Sequence, residues 1–317
     1  MSVPERSRGS SGADATVNAA ALTRYTRVAQ DSAQRVIASY STSFGLATRL
    51  LAPRCRTAIA SVYALVRVAD EVVDGVGSAA GLTLPEQLTA LRALEAEVDA
   101  AIASGFSTNL VVHAFAVAAR ASGIDASLTR PFFASMEMDL DPHDLDAAEQ
   151  EAYVYGSAEV VGLMCLQVFL AGRTVPDADR EVMTASARAL GAAFQNVNFL
   201  RDLADDAARG RGYLPGEESG ATATSASHAV VDEATKRLWV DRVDADVATA
   251  RRGLALLPRD CRAGVGAALA LFAELNRRIE ATPADQLARR RISVPAPVKA
   301  RLVAAVVLKE APWRASS

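Results

Sequence analysis

The sequence predicts an all-α protein, and three observations carry that expectation. Apolar residues recur at three- and four-residue intervals along almost the whole 317-residue chain. Ala and Leu, which lose little side-chain freedom in a helix, are abundant, with 66 Ala. Strand signals are nearly absent.

Taken in order, residues 1–18 read as a disordered leader, because MSVPERSRGSSGADA lacks the apolar core of a secretory signal. Helices are expected over 19–39, 54–75, 85–103, 108–122, 129–139, 146–170, 178–208, 227–254, 262–281 and 296–309. Pro53 suits a helix start, GVGSAAGLTLP (75–85) reads as a loop, and PGEESGATATSAS (215–227) reads as the most flexible internal segment. The tail 311–317 is expected to be flexible. One helical domain over 19–310 is the simplest organisation, with close helix packing through Ala leaving larger side chains to shape a central cavity.

Half of the residues are hydrophobic and 22% are charged, which excludes a disordered or collagen-like chain. Cys55, Cys165 and Cys261 are too few and too scattered for a disulfide framework or a thiolate metal cluster. A net charge of -3 argues against a nucleic-acid partner. The longest apolar run, 160–172, has 13 residues, short of the roughly 20 that a spanning helix needs.

Two acidic stretches carry the chemistry. In YALVRVADEVVDG, Asp70 and Asp74 are four residues apart, so on a helix their carboxylates share a face and repel unless a cation intervenes. Tyr63 and Arg67 extend that stripe. In FQNVNFLRDLADDAARGRGYLP, Gln195, Asn198, Asp202 and Asp206 follow steps of three, four and four, with Arg201 and Arg209 beside them. Phe194, Val197, Phe199 and Leu200 make this helix too apolar to lie free in water. Polar groups embedded there need partners, since unpaired burial costs about 1–3 kcal/mol for a neutral group and more for a charge.

The two pairs lie 132 residues apart with the same spacing. Both are satisfied if their helices face each other across a cavity, with Mg²⁺ held by carboxylate oxygens and shared with a polyphosphate. Hard oxygen donors favour Mg²⁺ over zinc, and Arg67 and Arg201 offer bidentate hydrogen bonds to phosphate. Such a site suits ionisation of an allylic diphosphate, with an apolar wall excluding water and aromatic faces stabilising the cation.

Other segments keep two readings each. Ser41 to Gly45 could cap backbone groups or contact phosphate. Gly156, Ser157, Ala158 and Gly162 permit close approach by a helix or by a hydrocarbon chain. Tyr213 is either a lid over phosphate or a plain helix terminus. Met136 to Asp139 reads as packing, and His113, His143 and His228 share no metal-ligand spacing.

At these residues the chain resembles the squalene and phytoene synthase family, with wording closest to actinobacterial phytoene synthases. The matching stretches are YSTSFGLATRLLAPRCR (40–56), YALVRVADEVVDG (63–75), YVYGSAEVVGLM (153–164) and QNVNFLRDLADDAARGRGYLP (195–215). The resemblance implies an isoprenoid synthase fold and the Mg²⁺-dependent joining of two identical prenyl diphosphates, with Mn²⁺ as a substitute metal. Asp70, Asp74, Asn198, Asp202 and Asp206 would hold metal. Ser41, Phe44, Tyr63, Arg67, Tyr153, Gln195, Asn198, Arg201 and Tyr213 would bind substrate. The four aspartates with Tyr153, Arg67 and Arg201 would form the catalytic set.

The expected activity is phytoene synthesis from two geranylgeranyl diphosphates, without NADPH. The alternatives are a farnesyl-specific relative making squalene, dehydrosqualene or presqualene diphosphate, and a non-catalytic scaffold that would have lost aspartates this chain retains. Gly45 and Glu159 depart from the family pattern, and Glu159 puts substrate length in question. The expected location is cytoplasmic, with peripheral docking on the inner membrane face and transient association with carotenoid-pathway enzymes.

Overall fold

Helices close around one apolar cavity in the computed structural model, which describes residues 11–141, 143–208, 212–214 and 231–310. In chain order they are α1 (Ser11–Tyr40), α2 (Thr42–Arg49), α3 (Pro53–Val73), α4 (Val76–Ala79), α5 (Leu84–Ser104), α6 (Leu110–Ser122) and α7 (Ala126–Met138). There follow α8 (Ala147–Val154), a π turn (Tyr155–Glu159), α9 (Val160–Leu170) and α10 (Asp177–Ala208). The fold ends with α11 (Glu233–Leu254), α12 (Arg259–Glu280), α13 (Ala284–Leu287) and α14 (Ala296–Glu310). Among the described residues the β structure amounts to a lone parallel bridge, Asp144 to Gly212.

Local chemistry sets most boundaries. Pro53 opens α3, where its missing N–H costs nothing. Thr83 and Glu86 form a capping box at α5, and Gly105 ends that helix with a left-handed φ of 81°. α7 begins at Ala126, three residues before the predicted start at 129, with Asp125 as its cap, and Pro131 lies inside both spans.

Several expectations need correction. α1 begins at Ser11, eight residues earlier than predicted. The stretch after Tyr40 is helix α2 rather than a connector, because Ser41 caps it. The predicted loop 75–85 contains α4 and yields to α5 at Leu84. The first ten residues, Arg209, Arg211, segment 215–227, positions 227–230 of the predicted 227–254 helix and the tail 311–317 lie outside the described residues.

The predicted 146–170 helix forms, interrupted by the π turn. There Ser135 Oγ donates to the Tyr153 carbonyl at 3.2 Å, while Gly156 sits so near Pro131 that an added Cβ would stand 2.1 Å from its carbonyl oxygen. Helical segment 147–170, 24 residues, is long and apolar enough to cross a bilayer by length and composition. The 13-residue limit read from the sequence was too short because the helix continues back through the π turn. More than half of its most apolar stretch is buried within the fold.

The cavity separates two apolar cores. One gathers around Leu65, Phe115, Phe132 and Met164, the other around Trp239, Val243 and Ile279. α9 crosses α10 antiparallel at very short range, Gly162 against Ala187 and Gly191 against Ala158. An isolated helix would gain about 1 kcal/mol from Gly→Ala. Here the added Cβ at Gly162 would meet the Ala187 carbonyl oxygen at 2.3 Å. Gly162→Ala is therefore expected to lower unfolding stability by about 1–3 kcal/mol, read as a reduced denaturant midpoint with an unchanged m-value.

Candidate functional site

The cavity lies among α2, α3, α9, α10, α11 and α12, and its wall is almost wholly apolar. Two polar stripes enter at one end: Tyr63 on α3, and Gln195 and Asn198 on α10. Each runs on toward its acidic motif, since Arg67 and Asp70 lie one and two turns beyond Tyr63, and Asp202 lies one turn beyond Asn198. Tyr63, Gln195 and Asn198 thus line one cavity, whereas Arg67, Asp70, Asp74, Arg201, Asp202 and Asp206 are not among its lining residues.

Asp70 and Asp74 sit where α3 stops. Asp74 is its C-cap, at φ -94° and ψ 2°, and donates its backbone N–H to the Asp70 carbonyl at 2.8 Å. Carboxylates are disfavoured here because the helix dipole already places negative charge at this end. Arg67 answers them: it donates to Asp70 Oδ2 at 2.6 Å, pairs with Glu71, and stacks 4.5 Å over the Tyr40 ring. Burial first, then Asp74, pushes the Asp70 carboxyl up to about 7, with Arg67 opposing and Asp139 adding to the rise. The Tyr63 hydroxyl is raised by burial, opposed by Arg67.

The second motif differs from a plain helical face. α10 kinks at Asp202, φ -106° and ψ 15°, so the four-residue step to Asp206 crosses a break. This is the sparsely allowed bridge region that active-site residues often occupy. Arg201 grips its neighbour, Nε to Asp202 Oδ1 at 2.9 Å, and Arg291 approaches from beyond α13, Nε to the same oxygen at 2.9 Å. Arg67 and Arg201, expected on phosphate, therefore neutralise aspartates in this structure. Arg291 was not anticipated, for its partner lies 89 residues away and the run ARRRIS carries no motif.

Asp139 also exceeds its expected packing role. It is 6% exposed and accepts from Tyr153 at 2.9 Å and from Tyr213 at 2.5 Å. Tyr213 stacks on Phe199 with ring centres 4.4 Å apart and lies 4.9 Å from the Tyr153 ring. Tyr213 is thus a buried tie joining the ends of α7 and α8 to the stretch after α10. Burial, with Asp139 beside it, holds the Tyr153 phenol well above its ordinary value.

The remaining predicted positions divide. Ser41 accepts from the Phe44 N–H at 3.1 Å, so its capping reading is realised. Phe44 lines the cavity among Tyr63, Phe194 and Phe272, the last two stacked at 3.8 Å. Glu159 pairs with Arg188 at 2.6 Å and is absent from the cavity wall. His113 is fully buried and bonds Thr26 at 2.9 Å, a structural role. His228 lies outside the described residues.

Among the described residues no group of three or more His, Cys, Asp or Glu side chains converges as a metal cluster. The donors nevertheless suit a hard divalent cation. The Asn198 Oδ1 atom is buried without a hydrogen-bond partner, one turn from Asp202, and an orphaned amide oxygen beside carboxylates is chemistry that Mg²⁺ satisfies.

A sequence profile of the squalene/phytoene synthase family matches residues 37–297. The chain is 30% identical over 263 residues to phytoene synthase 3, chloroplastic, of Zea mays, covering 80% of this chain and 60% of that protein. It is 33% identical over 285 residues to 15-cis-phytoene synthase of Synechocystis sp., covering 86% and 82% of the two chains. A crystal structure of a dehydrosqualene synthase in complex with ligand superposes with a TM-score of 0.71 at 22% identity, covering 90% of this chain and 98% of that one.

Because Asp70 is raised, the folded state retains a proton between about pH 4 and 7 that the unfolded chain gives up. Its contribution opposes folding, grows as pH rises through that window and levels off above 7. In chelator-treated protein, Asp70→Asn should therefore gain stability relative to the parent from pH 4 to 7 and hold a constant advantage from 7 to 8.5. Parallel stability curves across pH 4–7 would remove the assignment.

Proposed function

This chain belongs to the squalene/phytoene synthase family, and on that basis we propose that it is a phytoene synthase of bacterial type. It would join two geranylgeranyl diphosphates head to head, through prephytoene diphosphate, to phytoene with release of diphosphate. The observation that carries the reading is one apolar cavity lined at its polar positions by Tyr63, Gln195 and Asn198, on the same two helices whose acidic motifs are answered by arginine. The phytoene synthases among its relatives support the twenty-carbon substrate.

Asp70 and Asp74 on α3, with Asn198, Asp202 and Asp206 on α10, would hold Mg²⁺, with Mn²⁺ as a substitute. When bound, the metal neutralises diphosphate and makes it a better leaving group. The chain's own residues do the rest. Arg67, Arg201 and Arg291 each carry five N–H donors, more than their carboxylate partners use, so phosphate oxygens can share them. Gln195 and Asn198 add neutral polar contacts at the boundary with the apolar wall.

An allylic cation formed there is guarded from water by the cavity wall. The rings of Phe44 and Phe194, the latter backed by Phe272, offer π faces to positive charge near the polar end. Tyr153, kept protonated by burial, offers a neutral hydroxyl that Asp139 fixes in place. Ser41 and Tyr63 complete the approach to the diphosphate end.

Peripheral contact with an anionic membrane fits the greasy substrate and product, and would bring the protein near enzymes that consume the hydrocarbon. Residues 288–309 carry six Arg and Lys and no acidic residue, in a chain of net charge -3. With Arg291 on Asp202 and Arg289 on Asp285, Arg290, Lys299, Arg301 and Lys309 are the ones offered to such a surface. Leu308 and Val307 of α14 are exposed beside these cations. The protein should therefore co-sediment with phosphatidylglycerol vesicles and be released by 0.5 M salt. Equal recovery with neutral phosphatidylcholine would count against contact through charge.

Purified protein supplied with Mg²⁺ and geranylgeranyl diphosphate is expected to yield a forty-carbon hydrocarbon without NADPH. A thirty-carbon product from farnesyl diphosphate alone would replace this reading with the farnesyl-specific one. Asp70→Asn and Asp202→Asn should each lower kcat/KM by about 100-fold or more while far-ultraviolet circular dichroism is unchanged. Parental kinetics in either would remove that residue from the metal site.

A further inference from the structure

The end of the cavity opposite the acidic motifs is closed by Leu51, Phe169, Met183 and Leu257. Along α10 the lining runs from Asn198 back to Met183, 15 residues and about 22 Å at 1.5 Å per residue. Prenyl chains of different length, all anchored by diphosphate at the polar end, differ in whether they reach this floor.

Behind the floor stands an ion cluster that the chemistry of the polar end does not use. Asp260, in the first turn of α12, accepts from Arg54 Nε at 2.7 Å and from its terminal nitrogen at 3.0 Å, and from Arg173 at 3.2 Å. Arg54 also donates to the Phe169 carbonyl at 3.2 Å, and the Asp260 carbonyl accepts from the Ala52 N–H at 2.9 Å. The cluster thus joins the start of α3, the end of α9 and the start of α12. Each of those three chain ends supplies a floor residue: Leu51, Phe169 and Leu257.

A partly exposed ion pair contributes little to global stability. Bidentate geometry with a shared carbonyl instead fixes position. We propose that Asp260, with Arg54 and Arg173, is a positioning clasp that holds the hydrocarbon floor in place and so sets the longest prenyl chain the cavity admits. The proposal rests on the prenyl diphosphate reading above and adds which residues limit chain length.

The test is binding as well as turnover. Titrate the full chain, with Mg²⁺, against farnesyl, geranylgeranyl and twenty-five-carbon prenyl thiodiphosphates, whose carbon–sulfur bond resists ionisation. Wild type should show an affinity that rises with length and then falls at a cut-off. Asp260→Ala should move the cut-off one isoprene unit longer, raising affinity for the first excluded chain about tenfold, with affinity for shorter chains within threefold. Asp260→Glu should restore the parental cut-off.

Leu257→Phe tests the floor directly in a background with the clasp intact, and should move the cut-off one unit shorter. An unchanged cut-off in folded Asp260→Ala, or no length dependence in wild type, overturns the clasp. If the cut-off moves as stated yet geranylgeranyl diphosphate is never condensed, the clasp stands and the head-to-head reading falls.

Discussion

A carboxylate at the C-terminal end of a helix adds negative charge where the backbone has already placed some, and beside an apolar cavity water relieves little of it. Asp70 and Asp74 meet this condition at the end of α3, and Asp202 meets it where α10 breaks. Such an arrangement persists only with cations close by. Arg67 supplies one at the first motif, and Arg201 with Arg291 at the second. Burial and Asp74 raise Asp70 to about 7 against the opposition of Arg67. Carboxylates set beside guanidinium donors suit a ligand pair of divalent cation and polyanion.

The packing of the rest serves that site by keeping the space between the motifs dry. α10 approaches α9 at Gly162 and the π turn at Gly191 so closely that larger residues would have forced the backbones apart. The π turn at 155–159 inserts its irregularity where Ser157 and Ala158 face the cavity. Phe44 and Phe194 then shape the chamber with rings, which pack tightly and tolerate positive charge. Stability and chemistry share the same wall.

What the sequence disclosed follows from range. Helix periods, Pro53 and the two DxxxD spacings are local signals, and Tyr63, Gln195 and Asn198 on the two motif helices do line one cavity. α2 escaped because eight residues carry too little periodicity, although Ser41 was in view as a cap. The kink at Asp202 escaped because nothing in FLRDLADD breaks a helix by propensity. Asp139 read as packing because its partners, Tyr153 and Tyr213, are 14 and 74 residues away. Arg291 depends on a chain return from α13 that periodicity does not encode. Side chains whose role is set by a distant partner give no local sign of it.

The two departures from the family pattern show how the cavity divides its work. Glu159 raised a question about substrate length, yet it pairs with Arg188 across the α9–α10 contact and does not line the cavity. An added Cβ at Gly45 would meet only the Ile37 carbonyl, at 3.8 Å, and Gly45 is likewise absent from the wall. Neither departure alters the polar end, where charge decides the reaction, or the floor, where shape decides the chain. In the proposed reaction, bond breaking would be governed by interactions that act over a few ångströms at one end of a cavity whose lining spans about 22 Å of α10. Chain selection would be governed by contact at the other, so the two properties could vary independently within a single helical shell.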